Sequence, residues 1–260
     1  MPRVVTLFRF PVKGFTPERH ERLTVQDDGR IAGDRVLAFR FADAATPEKQ
    51  DGLDYWPKSK GLALESFPAL AALRLTLSDG IVRITRDGEL LVEAGLDDAG
   101  RARLEAAVTD YVLSTGDAKH LRGRLPLHLV GDGTTARFQD RPRGYVTVHG
   151  RQSVRELETA MGHEADDRRF RSNVVVDGFD ARDELAWTSR IRIGAVLFRP
   201  EGPIVRCLAP HANPDTGARD ARVLTTLTRT IGLHEPSLGR LLLPDGPGGV
   251  IAVGDEVEVL

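Results

Sequence analysis

The chain has 260 residues, 41% hydrophobic and 28% charged, with a formal net charge of −2 and one cysteine. Near-neutral charge gives no electrostatic footprint for nucleic acid or a membrane surface, and neither is expected as a partner. A lone Cys207 excludes an internal disulfide and an iron–sulfur cluster held by this chain's own thiolates.

The length leaves room for one large domain or two of ordinary size. No apolar run approaches membrane-spanning length; stretches such as IGAVLF at 193–198 are a few residues long. The N-terminal MPRVVTLFRFPVKG lacks the charged, apolar and cleavage regions of a signal peptide. A cytoplasmic location is expected.

In chain order, VVTLFRF (4–10), RVLAFRF (35–41), ALRLTL (72–77), IVRIT (81–85) and ELLVEA (89–94) read as strands. The links SDG and RDG are turn chemistry and predict a meander. DDAGRARLEAAVTDYVL (97–113) places Leu104, Val108, Tyr111 and Val112 on one helical face. The polar stretch DGTTARFQDRPRG (132–144) predicts a surface loop. YVTVH (145–149) is a strand leading to a short helix. Ser153 and Glu156 predict a capping box there, with Ser153 as N-cap, Val154, Leu157 and Met161 inward, and Gly162 past the end.

NVVVD (173–177), RIRIGAVLF (190–198), IVRCLA (204–209) and GDEVEVL (254–260) complete the predicted strands, and RVLTTLTRTI (222–231) is a short helix. GPGGVIAVG (246–254) reads as a turn. Strands are not regularly separated by helices, which argues against a doubly wound parallel sheet. The expected class is α+β, mostly β, in two β-rich units.

Four clusters can carry chemistry: RFPVKG (9–14), AGDR (32–35), RRFRSN (168–173) and VRC (205–207), the last followed by a PDTG turn. Singly each has a plain structural reading: a solvated arginine face, a lone lysine, an inert core thiol. Together, arginines and a lysine at strand ends can converge on an anion, and a thiolate poised by positive charge suits a soft metal or nucleophilic work.

The order PVKG, GDR, RRFRSNVVVDG, Glu184-x-x-Trp187, IRIG, RC and PDTG, ending in VGDEVEVL, resembles the MOSC-domain proteins with an N-terminal β-barrel. It is similar to the mitochondrial amidoxime-reducing component and its bacterial relatives. The resemblance implies an N-terminal β-barrel domain over 1–120 packed on a MOSC β-barrel domain over 121–260. It implies a molybdenum cofactor (Mo-molybdopterin) between them, with Cys207 as metal ligand and catalytic residue. Lys13, Arg35, Arg171, Asn173 and Arg206 are implied to hold the pterin and its phosphate. Arg168 is expected on the surface.

Two departures stand out. Gly14 takes the place of a serine common after the PVK lysine. Ala209 to Asn213 replace the usual residues after the cysteine. The implied reaction is two-electron reduction of an N-hydroxylated small molecule, with a separate flavin or iron–sulfur reductase as electron donor. His211 is a proton-donor candidate by its nearness to Cys207, or a loop histidine without catalytic role. The alternatives are a carrier of the cofactor or of sulfur without turnover, a cysteine hydrolase, and a Cys–His zinc site.

Overall fold

The computed structural model describes residues 1–141 and 143–260. Its largest element is an eight-stranded sheet. From one edge its strands are Val257–Val259, Ile191–Ile193, Val196–Val205, Ser237–Pro244, Val146–Gly150, Val174–Asp177, Arg3–Arg9 and Glu18–His20. The sheet curls on itself, because the start of Arg3–Arg9 bonds the segment before the opposite edge: Val4 N–H donates to Asp255 O at 2.9 Å, and Gly254 N–H to Val4 O at 2.9 Å. Closure of this kind removes exposed sheet edges. Val146–Gly150 and Val174–Asp177 run parallel, joined through the helix Arg151–Met161.

The second unit is built on the meander Leu73–Ser78, Ile81–Arg86, Glu89–Ala94. Both meander turns place Asp-Gly at positive φ, Asp79-Gly80 (50°, 74°) and Asp87-Gly88 (51°, 85°), the geometry whose twist matches a two-residue hairpin. The helix Asp98–Leu113 buries Leu104, Val108, Tyr111 and Val112, the predicted face. The molecule is thus mostly β, an N-terminal barrel-like unit packed on a second curled β unit.

Each unit has its own core, and the chain crosses between them early. Val4, Leu7, Leu23, Val25 and Ile31 belong to the core of the eight-stranded sheet. Leu127 and Leu129 belong to the N-terminal core, through the pairing of Leu127–Val130 with Ala38–Phe41.

Several sequence expectations are corrected. Ser153 is not an N-cap: the helix begins at Arg151 with Gly150 as its uncapped N-cap, and Ser153 Oγ donates to Glu184 Oε2 at 2.7 Å. RIRIGAVLF is two strands, since Gly194 (φ 56°) turns the chain between Ile193 and Val196. The strand expected through Cys207 ends at Val205. RVLAFRF forms ladder only over Ala38–Phe41, because Arg35 lies at φ 53°. Gly249–Ala252 is a strand paired with Arg22–Val25, not a turn. The loop over 132–144, of which Pro142 lies outside the described residues, is not all surface: Phe138 is fully buried, 4.8 Å from the Trp56 ring.

The long helix rests on Asp97, whose side chain accepts from Gly100 N–H at 2.6 Å and satisfies one of the free donors of the first turn. Asp97→Ala is expected to lower unfolding free energy by about 1 kcal/mol. A urea transition with an unchanged midpoint would show that the cap contributes nothing.

Candidate functional site

A cavity of about 250 Å³ lies between the two units. Lys13, Gly14, Lys58, Leu64 and Glu65 line it from one side, and Thr147, Arg169, Arg171, Arg206 and Cys207 from the other. Seven cationic side chains and two carboxylates (Glu65 and Asp140) face it, a strong excess of positive charge in a chain of nearly balanced composition. Five of the six residues expected at the site therefore converge: Lys13, Arg35, Arg171, Arg206 and Cys207.

Asp34 builds one wall. It is buried, accepts from Phe10 N–H (2.7 Å) and Asn173 Nδ2 (3.2 Å), and pairs with the Arg35 guanidinium. Arg35 Nη2 reaches on to Arg171 O at 3.0 Å. The guanidiniums of Arg35 and Arg171 both stack on the buried Phe10 ring, at 4.8 and 4.5 Å from its centroid. Both arginines are left-handed, each at φ 53°, a conformation that costs a non-glycine residue about 1–3 kcal/mol and clusters at functional sites.

Arg171 and Arg206 have carbonyl partners and form no ion pair with a carboxylate among the described residues. Arg171 Nη1 donates to Phe15 O at 2.6 Å; Arg206 donates to Leu238 O through Nε at 2.7 Å and to Phe170 O. Burial pulls each guanidinium down from its ordinary value to about 9. Arg35 deepens the fall for Arg171, and the nearby Cys207 opposes it for both. Both remain charged at neutral pH.

Asn173 does not line the cavity. It is fully buried, and its side chain is spent on protein partners. Nδ2 bonds Phe8 O and Asp34 Oδ1, and Oδ1 accepts from Thr147 Oγ1 at 2.8 Å. It stands one layer behind, fixing Asp34 and the lining residue Thr147.

Cys207 is partly buried on the cavity wall, just past the strand Val196–Val205. The loop that carries it is tied on all sides. The buried Arg169 donates to Ala212 O at 3.0 Å and pairs with Asp220 at 2.8 Å. Asp215 of the PDTG turn is gripped by Arg168 from its own unit (3.0 Å) and by Arg74 from the N-terminal unit. Arg168 is therefore a staple, not the free surface arginine expected.

His211 turns away from the cavity: its Nε2 accepts from Leu224 N–H at 3.2 Å, and burial, then Arg219 and Arg169, hold it below the ordinary histidine range. It serves as a helix cap, and the proton-donor reading fails on geometry. Among the described residues no group of His, Cys, Asp and Glu could hold a metal ion by itself, so the zinc reading has no ligand set.

Sequence reasoning missed Asp34, Arg169 and Lys58. Asp34 was signalled by its place in GDR and Arg169 by the RRFR run; Lys58 carries no motif.

Residues 1–120 match the MOSC N-terminal beta barrel domain and residues 135–258 the MOSC domain. The chain belongs to the MOSC-domain proteins that carry this N-terminal barrel. It is 38% identical over 79 residues to a molybdenum cofactor sulfurase of Drosophila mojavensis, covering 30% of this chain and 10% of that protein. It is 43% identical over 118 residues to the Drosophila grimshawi sulfurase, covering 42% and 14%. The chain thus spans a small fraction of these relatives' length. A crystal structure of the YuaD protein from Bacillus subtilis aligns over 99% of this chain and 94% of its own, at 12% identity and a TM-score of 0.43. Among the described residues no helix is long and apolar enough to cross a membrane.

At Gly14 the backbone leaves little room for a side chain. Gly14 sits at φ 86°, and a Cβ there would stand 2.9 Å from the backbone oxygen of Leu62. Restoring serine, Gly14→Ser, is expected to destabilise the protein by about 1–3 kcal/mol through this strain. Equal thermal midpoints for the two proteins would refute the steric account.

Proposed function

We propose that this protein is a molybdenum-cofactor-dependent oxidoreductase that reduces N-hydroxylated small molecules by two electrons, supplied by a separate flavin or iron–sulfur reductase. The observation that carries the reading is the cavity's charge: seven cations against two carboxylates, with the sole cysteine on the same wall.

The residues fit the group. Arg171 and Arg206, bonded only to carbonyls, and Lys13, buried on the cavity wall, suit an anionic phosphate-bearing ligand. Cys207 offers a thiolate, which suits a soft or high-valent metal. In this reading Lys13, Arg35 and Arg171 hold the phosphate, Arg206 contributes charge beside the thiolate, and Cys207 ligates molybdenum. Asn173 positions Asp34, which in turn orients Arg35. When bound, the cofactor supplies the two-electron redox chemistry at the N–O bond.

The reaction breaks the N–O bond of a hydroxylamine or amidoxime. Two electrons enter from the donor protein, and two protons complete the amine or amidine and a water. Lys58 lines the same cavity as a cation. Its Nζ pairs with Glu65 Oε2 at 2.5 Å. Burial lowers its proton affinity, but the Glu65 hydrogen bond and the nearby Cys207 and Asp140 outweigh it, so Lys58 stays protonated through the neutral range.

The likeness to molybdenum cofactor sulfurases favours a second reading, a carrier of the cofactor or of sulfur that does not turn over. One comparison separates the two. Protein from a cofactor-competent host, given reduced viologen and a model amidoxime, is expected to turn over. Cys207→Ser should keep its pterin and fold yet lose nearly all turnover per bound molybdenum. Wild type that holds molybdenum and pterin but never turns over would favour the carrier, and equal turnover in the variant would remove Cys207 as the working ligand.

A further inference from the structure

Lys13 and Asp140 form the most unequal ion pair in the molecule's cavity. Lys13 is 6% exposed, and its Nζ lies 2.7 Å from Asp140 Oδ1 without a well-aligned hydrogen bond to any described residue. The Asp140 side chain is 61% exposed. One partner is fixed and stripped of water, and the other stands at the surface, where water can replace what it leaves.

The loop around Asp140 is anchored while its carboxylate is not. Phe138 N–H donates to Arg35 O at 2.8 Å, the Phe138 ring packs on Trp56, and Gln139 Nε2 donates to Asp34 O at 3.4 Å. Rotation of one side chain is enough to vacate Lys13. The other carboxylates near the cavity are already committed: Asp34 to Arg35, Asp220 to Arg169 and Glu65 to Lys58.

We propose that Asp140 is a resident anion of this site, an internal competitor that occupies Lys13 until a ligand phosphate displaces it. The proposal rests on the phosphate reading of the cavity and adds a determinant of its affinity. With Asp140 in place, the buried ammonium is never left without a counter-charge. Every incoming anion must then exchange with a carboxylate held at an effective concentration that weak ligands do not match. Small monovalent anions are thereby kept out, while a phosphate that also engages Arg171 and Arg35 gains more than it displaces.

The test uses the full chain free of cofactor, with inorganic phosphate as the probe and calorimetry as the readout. D140N is expected to bind phosphate about tenfold more tightly than wild type, and to unfold at a lower temperature in phosphate-free buffer, where Lys13 stands unpaired. Phosphate should then raise the variant's midpoint more than it raises that of wild type. D140A serves as a second variant, with the same expected direction. Wild type that binds phosphate, with D140N and D140A binding equally or more weakly, would overturn the competitor role and leave the phosphate site standing. Absence of phosphate binding in all three would overturn the phosphate site and the proposal together.

Discussion

Two guanidiniums share one aromatic ring, and the site depends on how that is tolerated. Arg35 and Arg171 stack on Phe10, close enough that Arg35 disfavours the charge on Arg171. The ring offsets about 0.5–2 kcal/mol per cation, and the two left-handed backbones cost about 1–3 kcal/mol each. Asp34 is a buried carboxylate built into the arrangement, and it pairs with Arg35. The cavity wall thus concentrates positive charge, and such locally costly arrangements are typical of functional sites.

The fold makes that arrangement possible by drawing the walls from both units. The strand Arg3–Arg9 enters the eight-stranded sheet beside Val174–Asp177, and this registers Phe10 against Arg171 although they lie far apart in sequence. The AGDR turn then brings Asp34 under Phe10 and Asn173. On the opposite wall, Arg169, Arg168 and Arg74 clamp the loop after Cys207 through Asp220 and Asp215. Because Arg74 comes from the N-terminal unit, the position of the cysteine loop is tied to the packing of the two units. A loosened interface would move the thiol relative to the cations.

Much of this was legible from residue pattern alone, and the failures have physical reasons. The meander announced itself because Asp-Gly turns need positive φ and the strands between them alternate. The strand Ser237–Pro244, central to the large sheet, did not: it is buried on both faces, so SLGRLLLP shows an apolar run broken by Gly239 instead of alternation. The Ser153–Glu156 spacing mimicked a cap, but Ser153 is drawn inward by the buried Glu184, a long-range partner that no local rule contains. Among candidate site residues, Lys13, Arg35, Arg171, Arg206 and Cys207 came from the family resemblance, and all five line the cavity. Asn173 was found by the same route, yet it supports the cavity from behind, because side-chain direction at a strand start is set by register. His211 failed as a proton donor for a related reason: Pro210 turns the chain, and the imidazole meets Leu224 N–H instead of the cavity.

X-ray absorption at the molybdenum edge, on protein purified from a cofactor-competent host, tests whether the cationic cavity holds the proposed cofactor with the thiolate of Cys207 among the metal's sulfur ligands. The account predicts molybdenum with one more sulfur neighbour than the pterin dithiolene supplies, and loss of that neighbour in Cys207→Ser while molybdenum and pterin stay bound. Identical sulfur coordination in the two proteins would contradict it.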